Sequence, residues 1–401
     1  MTSKIYKKIL FVDHDKIYTG STVSLLYLIR FFINKGFEVY VLTNKKDDLQ
    51  TLYNNLGAFS IYANFNLYLP FHFRSCGNIF SLKGIYTVLI TLINAVIILV
   101  KSPSIIRRIN PSIIYVNEYV SFMVGIIGRL LSRKVYYHIR SQMIGGTLGV
   151  RSSLLRYLLS KTGDKIFAIS KMEAEQFPDY NKIKNDKIFI IREFVDENDF
   201  CSISDRKQTL NELNISPSSY VCLSLGGFYV YKGTIDVLLA LKILIDKGED
   251  VVLILIGNDK AARNNKNSYL NKCLNVIDEN KMAKNIRLVE TTSNIAKYLE
   301  ASDVLISSNS ISHFSRPIIE AWAKKKPIIA SDLPHIREYV DDEVNGICYK
   351  VGDYEELAER IKMLIHNTEF GKKIGENGYR IARNLFDADK NINSLFSLMD
   401  V

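Results

Sequence analysis

One rhythm constrains what this chain can fold into. Short apolar, β-branched runs alternate with helix-patterned segments, the alternation stops once in a polar stretch at mid-chain, and then it restarts. Residues 8–13 (KILFVD) read as a buried strand, 22–35 as an amphipathic helix closed by Gly36, and 38–43 (EVYVLT) as the next strand. Further strands are predicted at 112–116, 134–138, 165–169 and 187–191. Strands this apolar, separated by helices, belong to a parallel sheet covered on both faces. After the break, strands are predicted at 221–225, 251–256, 286–289, 304–307 and 327–330, with a helix over 234–247.

The reading is therefore α/β: two Rossmann-like, doubly wound parallel-sheet domains in tandem, facing each other across a cleft. Residues 1–195 form the N-terminal domain, 196–219 a polar linker, and 220–380 the C-terminal domain. Residues 381–401 form a helix expected to cross back to the first domain. Ligands of such sheets sit outside the carboxyl ends of the strands, so two facing domains suit a reaction between two substrates. With 401 residues, 47% of them hydrophobic, the chain is long and apolar enough to exclude disorder. Its five cysteines are scattered without a CxxC pair, which excludes a disulfide scaffold and a cysteine metal site.

Lys and Arg number 52 against 42 Asp and Glu, so the net charge of +10 favours an anionic partner such as a nucleotide or an anionic lipid surface. Basic residues are spread along the chain without interleaved aromatics, and nucleic acid is not expected. The first residues lack the apolar core and cleavage site of a signal peptide, which predicts a cytoplasmic protein. Residues 84–100 (GIYTVLITLINAVIILV) carry no charge between Lys83 and Lys101. At 17 residues, with Thr87, Thr91 and Asn94 inside, they predict a buried or interfacial helix rather than a span, and peripheral contact with the inner face of a membrane.

Two loops carry the chemistry. Gly226-Gly227-Phe228-Tyr229-Val230-Tyr231-Lys232-Gly233 follows a strand and opens a helix at Thr234. Glycines let backbone amides approach a phosphate, a helix start favours an anion, and Lys232 adds a cation. A turn capped by Thr234 with a solvated lysine explains the same residues. The stretch is not a Walker A loop, since GxxxxGK[ST] is absent. The second loop, Ser312-His313-Phe314-Ser315-Arg316-Pro317-Ile318-Ile319-Glu320-Ala321, follows the strand at 304–307. Pro317 suits the first turn of a helix, which puts Glu320 one turn in. There it could accept hydrogen bonds from vicinal ribose hydroxyls, or simply balance the helix dipole. Arg316 could meet a phosphate as a planar fork.

On these residues the chain resembles glycosyltransferase family 4, retaining enzymes of the GT-B fold. The family pattern G-R-L-x-x-x-K-G is matched by Gly226, Lys232 and Gly233, and E-G-F-G-L-P-x-x-E-A by Phe314, Pro317, Glu320 and Ala321. Ala301-Ser302-Asp303-Val304, Pro327-Ile328-Ile329-Ala330-Ser331 and Val344-Asn345-Gly346-Ile347 resemble the family's flanking phrases. The N-terminal half is looser, with Thr19-Gly20-Ser21, His138 and Ile169-Ser170. The resemblance implies that Lys232 binds the donor diphosphate and Glu320 the ribose. It further implies that the Gly20 amide approaches the diphosphate and that His138 contacts the transferred sugar. Gly226, Gly227, Ser312, His313, Phe314, Ser315 and Pro317 would complete the donor site. Two positions depart from the pattern: Gly227 stands where the family has arginine, and Ser312 where it has its first glutamate. Arg316 and His313 are the candidates to compensate.

The resemblance thus implies a metal-independent hexosyltransferase without a cofactor, its nucleotide-sugar donor a co-substrate and its acceptor a glycan or lipid-linked glycan. Asp13, His14 and Asp15 lie in an early loop where turn chemistry explains them. The two departures leave a second reading, a catalytically weak GT-B scaffold in a polysaccharide assembly complex, and a third, a nucleotide-sugar epimerase.

Overall fold

A computed structural model describes residues 7–15, 18–44, 48–69, 82–143, 149–181, 186–196, 198, 205–257 and 269–400. The chain divides into two compact units: Met1–Phe194 together with Lys390–Val401, and Val195–Asp389.

The first unit is built on seven parallel strands: β1 (Lys8–Asp13), β2 (Glu38–Thr43), β3 (Phe59–Tyr62), β4 (Ile113–Val116), β5 (Lys134–Ile139), β6 (Lys165–Ala168) and β7 (Ile188–Ile190). Their order is β3-β2-β1-β4-β5-β6-β7. β1 lies between β2 and β4, with Ile9 opposite both Val39 and Ile113, and its Ile9–Val12 side chains are fully buried. That double coverage is why the strand is continuously apolar. β3 escaped the sequence reading because FSIY is a short edge strand with no buried residue. The helix Leu82–Ile109 contains the charge-free run, and its inner side seats Ile98, Ile106 and Ile109 in the core. By length and composition Gly84–Ile109 could cross a membrane, yet only 11% of its most apolar stretch is buried. A core helix is thereby corrected: most of this segment faces outward.

The second unit has six parallel strands: β8 (Tyr220–Leu225), β9 (Val251–Ile256), β10 (Ile286–Val289), β11 (Val304–Ser307), β12 (Ile328–Ser331) and β13 (Ile347–Tyr349). They run in the order β10-β9-β8-β11-β12-β13. Apolar cores cover both faces, one centred on Trp322 and the other on Leu238, Leu241 and Ile361. Each sheet reverses its strand order at one place, between β1 and β4 in the first and between β8 and β11 in the second. Such a switch point opens a crevice at the strand ends.

Two boundaries fall elsewhere than the polar composition suggests. Part of the stretch read as a linker packs into the second unit: Leu210 and Ile215 are buried in its core, and Arg206 donates to the Asp303 carboxylate at 3.0 Å. The helix Thr368–Leu385 also stays with that unit through Ala382, and Phe386 just beyond it is buried there too. The chain rejoins the first unit only at Lys390, where the ring of Phe396 packs 5.4 Å from Phe31 and 5.6 Å from Phe32. Cys222, Cys273 and Cys348 are free, buried thiols; Cys76 and Cys201 lie outside the described residues.

The helix Thr368–Leu385 lies so close to the turn after Trp322 that a Cβ on Gly375 would sit 2.1 Å from the Lys325 carbonyl oxygen. Alanine in a helix normally gains about 1 kcal/mol over glycine. Here the clash is with backbone and outweighs that gain, so Gly375→Ala should lose about 1–3 kcal/mol. Urea unfolding measures it, and an unchanged or raised midpoint would refute the close packing.

Candidate active site

The β8 loop is shaped by glycines at positive φ. Gly226 (φ 123°) leaves room for the Lys232 stem, since a Cβ there would meet Lys232 Cδ and Cε at 2.9 Å. Gly227 (φ 69°) rests on Gly257 beyond β9, and a Cβ at 227 would lie 2.8 Å from the Gly257 carbonyl oxygen. The loop is pinned below by the Gly227 amide donating to Ile256 (3.0 Å) and by Thr234 Oγ1 donating to the Gly227 carbonyl (3.0 Å). The missing arginine thus has a steric reason: the position admits no side chain without moving backbone.

The β11 loop is tied onto this one. Ser308 Oγ donates to the Lys232 carbonyl at 2.7 Å, and the Ser310 amide to the Tyr231 carbonyl at 2.8 Å. Gly233 (φ 60°) makes the approach possible, because a Cβ there would strike the Ser308 carbonyl at 2.0 Å. The two sequence motifs therefore form one surface at the β8/β11 switch point. Its centre is Lys232 beside His313, with Nζ 3.2 Å from Nε2. His313 Nδ1 donates to the Ile311 carbonyl at 3.0 Å, so Nε2 carries the lone pair that accepts from the ammonium. Burial pushes Lys232 down to about 8, and burial together with Lys232 pushes His313 down to about 4. Lys232 is a cation whose charge its own environment disfavours, and an anion would restore it.

Other expected donor residues are employed within the unit. Arg316 Nε pairs with Glu320 Oε1 at 2.8 Å, both side chains about nine-tenths buried. The guanidinium expected to meet a phosphate thus holds Glu320 through Nε. Ser312 Oγ lies 2.7 Å from His335 Nδ1 and accepts from the His335 amide at 3.2 Å, orienting the loop rather than replacing a carboxylate. Phe314 packs on Tyr339 and Phe386 (5.4 and 5.7 Å), Ser315 Oγ is 2.7 Å from Ser307 Oγ, and Pro317 starts the helix Arg316–Ala323. Phe314 and Ser315 thus also pack within the unit.

In the first unit, Gly20 is exposed at the start of the helix Gly20–Asn34, whose cap Thr19 forms a reciprocal box with Thr22. His138 is fully buried near the end of β5, so a sugar contact through it is corrected to a supporting role. Its Nδ1 lies 2.6 Å from Tyr115 Oη and 3.2 Å from Arg140 Nη2. Because the guanidinium only donates, Nδ1 accepts. Burial and Arg140 hold the imidazole neutral, well below its usual range. The charge that sequence reasoning missed is Arg140, two residues on. It is ion-paired with Glu193 and donates through Nε to Asn117 Oδ1 at 3.1 Å, while Ser24 Oγ donates to Glu193. Arg140 and Asn117 follow the carboxyl ends of β5 and β4, and that position was the available signal. Asp13, His14 and Asp15 bring ligand-type atoms within 4.8 Å of one another. Their carboxylates are engaged by hydroxyls: Tyr53 on Asp13 at 2.6 Å, and Thr19 and Thr22 on Asp15 at 2.6 and 3.1 Å.

Family models match both units, Glycosyltransferase Family 4 over residues 18–199 and Glycosyl transferases group 1 over residues 205–381. The chain belongs to the group 1, family 4 glycosyltransferases. Its two parallel-sheet units are those of the GT-B fold. HepE of Anabaena, solved with UDP and glucose, superposes with a TM-score of 0.78 over 98% of this chain and 99% of that one, at 19% identity. An uncharacterized glycosyltransferase of Haemophilus influenzae is 26% identical over 219 residues, 54% of this chain and 56% of that one. The capsular polysaccharide biosynthesis glycosyltransferase CapM of Staphylococcus aureus is 25% identical over 158 residues, 39% of this chain and 40% of that one. The chain thus spans about half the length of these two curated relatives.

Two outcomes test the geometry of this glycosyltransferase. Gly227→Arg, which restores the family's residue, should lower the melting temperature and weaken nucleotide binding, because the loop must leave Gly257. A variant that binds nucleotide more tightly at unchanged stability would overturn the steric account. Arg140→Met strands a buried Glu193 and should cost about 3–5 kcal/mol, most of it recovered in Arg140→Met/Glu193→Met. Equal losses in the single and double variants, measured by urea unfolding, would show that the ion pair does not organise the site.

Proposed function

We propose that this chain transfers a hexose or related sugar, with retention of configuration, from a nucleoside diphosphate-sugar to a glycan or lipid-linked acceptor in cell-surface polysaccharide synthesis. The observation that carries the reading is Lys232: a partly buried ammonium at a switch point, beside the start of the helix Thr234–Asp246 and hydrogen-bonded to a neutral histidine. A diphosphate there would meet a charge that burial disfavours and a helix start that favours anions. The presence of UDP and glucose in HepE and the capsular role in the name of CapM support donor class and setting.

In this reading Lys232 and the helix start take up the negative charge that develops as the bond between the anomeric carbon and the phosphate oxygen breaks. The acceptor oxygen bonds to that carbon on the same face, and its proton goes to the departing phosphate. Glu320, steadied by Arg316 at 2.8 Å, is the carboxylate assigned to the ribose hydroxyls. Gly20 and the network around Arg140 serve the first unit's share, with His138 behind Arg140. The departures at Gly227 and Ser312 alter how the loop is held and leave Lys232 in place.

Lys232 is charged below about 8 and neutral above it, so UDP affinity should be level up to that pH and fall beyond it. Between pH 7 and 9 the charged fraction of the free protein drops about tenfold, and calorimetric affinity for UDP should follow. Lys232→Ala should bind weakly at both pH values. A wild-type affinity independent of pH, or a Lys232→Ala variant that binds UDP as well as wild type, would remove the anion site. Failure to bind any nucleotide sugar would favour the scaffold reading.

A further inference from the structure

The outward side of the helix Leu82–Ile109 is apolar where a surface helix is ordinarily polar. Ile85, Leu89, Ile93 and Val96 run along its middle, and Leu99 and Ile90 mark its two rims; all six are 47–58% exposed. At 100° per residue these rims enclose about half the circumference, and the strip from Leu82 to Val100 is ~27 Å long. The opposite side is committed to the unit: Ile98 and Ile106 are in the core, and Asn94 Nδ2 donates to the Asn66 carbonyl at 2.7 Å. From Asn94 onward the helix is held against the unit, and spanning a bilayer would break these contacts.

Charge says what covers the strip. The first unit carries 27 Lys and Arg against 13 Asp and Glu, the second 25 against 29, so the whole positive excess of the chain lies in the unit that bears the helix. No Asp or Glu occurs anywhere between Asp48 and Glu118. On the helix itself Arg107 continues the outward face beyond Val100, and exposed Lys101 and Arg108 stand at its rim. A seam between two copies would bring two such cationic faces together and needs only a narrow stripe on each helix. A half-cylinder of apolar side chains bordered by cations matches an interfacial helix lying in the plane of an anionic bilayer, sunk to about half its diameter.

We propose that the first unit docks on anionic membranes through this face, with the helix lying flat at the boundary between headgroups and acyl chains. The inference does not depend on sugar transfer. It does place the unit beside any acceptor that is itself anchored in lipid.

The test is sedimentation of the full chain with large unilamellar vesicles, either phosphatidylcholine alone or equal parts phosphatidylcholine and phosphatidylglycerol. Wild type should pellet with the anionic vesicles, bind phosphatidylcholine weakly, and be released as salt rises from about 0.05 to about 0.5 M. Leu89→Gln/Ile93→Gln should weaken binding to anionic vesicles by about tenfold or more. Its melting temperature and its shift with UDP should be unchanged, because both side chains face outward and neither belongs to the nucleotide loops. Wild type left in the supernatant at low salt, or a double variant that binds as wild type does, would overturn the proposal. So would a lipid-free wild-type dimer in sedimentation velocity that the double variant converts to monomer, since the face would then be a seam between copies.

Discussion

The site depends on backbone approaching backbone. Gly227 lies on Gly257, and Gly233 lies under the Ser308 carbonyl, at separations that leave no space for a Cβ. These contacts bring the ends of three neighbouring strands, β9, β8 and β11, to one surface, and they turn Lys232 inward over Gly226. Without them the lysine would be an ordinary solvated side chain on a surface loop. With them its ammonium is partly withdrawn from water and has a neutral imidazole for company. The electrostatics of the site follow from the glycines.

Withdrawn charge recurs in both units and is handled in three ways. In the first unit Arg140 and Glu193 satisfy each other and borrow Asn117 and Ser24, so their desolvation is offset within the fold. Asp13 is pushed up to about 7 by burial and by Asp15, and accepts from Tyr53. Glu118 is likewise raised by burial, to about 8. Lys232 differs: burial lowers it, and its ammonium meets the neutral His313 and the ring of Tyr231, 5.4 Å away, rather than a carboxylate. Lys232 is thus a cation that a ligand could complete.

Much of this was legible in the sequence, for definite reasons. Strands such as KILFVD and VVLILI are buried on both faces and read as unbroken apolar runs, so β1, β2, β9, β10 and β11 fall where the residues put them. FSIY and ICY were illegible as strands, because runs of three or four residues at a sheet edge carry little pattern. The loop motifs located Lys232 and Glu320 but not their partners. That Arg316 would turn back to Glu320 rather than outward is a matter of rotamer and burial, which spacing alone does not decide. His138 drew attention as an imidazole at a strand end, while the ion pair that organises this strand end, Arg140 with Glu193, carries no motif of its own. Polar composition around 196–219 suggested a linker because Leu210 and Ile215 are too few to announce a core contact.

The second unit is an insertion in the first: the chain leaves at Phe194 and returns at Lys390. Phe396 then completes an aromatic cluster with Phe31, Phe32 and Phe37. During synthesis, therefore, the half made first is the half finished last. The inserted unit has all of its own residues while the earlier one still waits for its closing helix to emerge from the ribosome. Removing residues 390–401 would leave the Lys232 loop intact and deprive the first unit of Phe396, which closes its aromatic cluster.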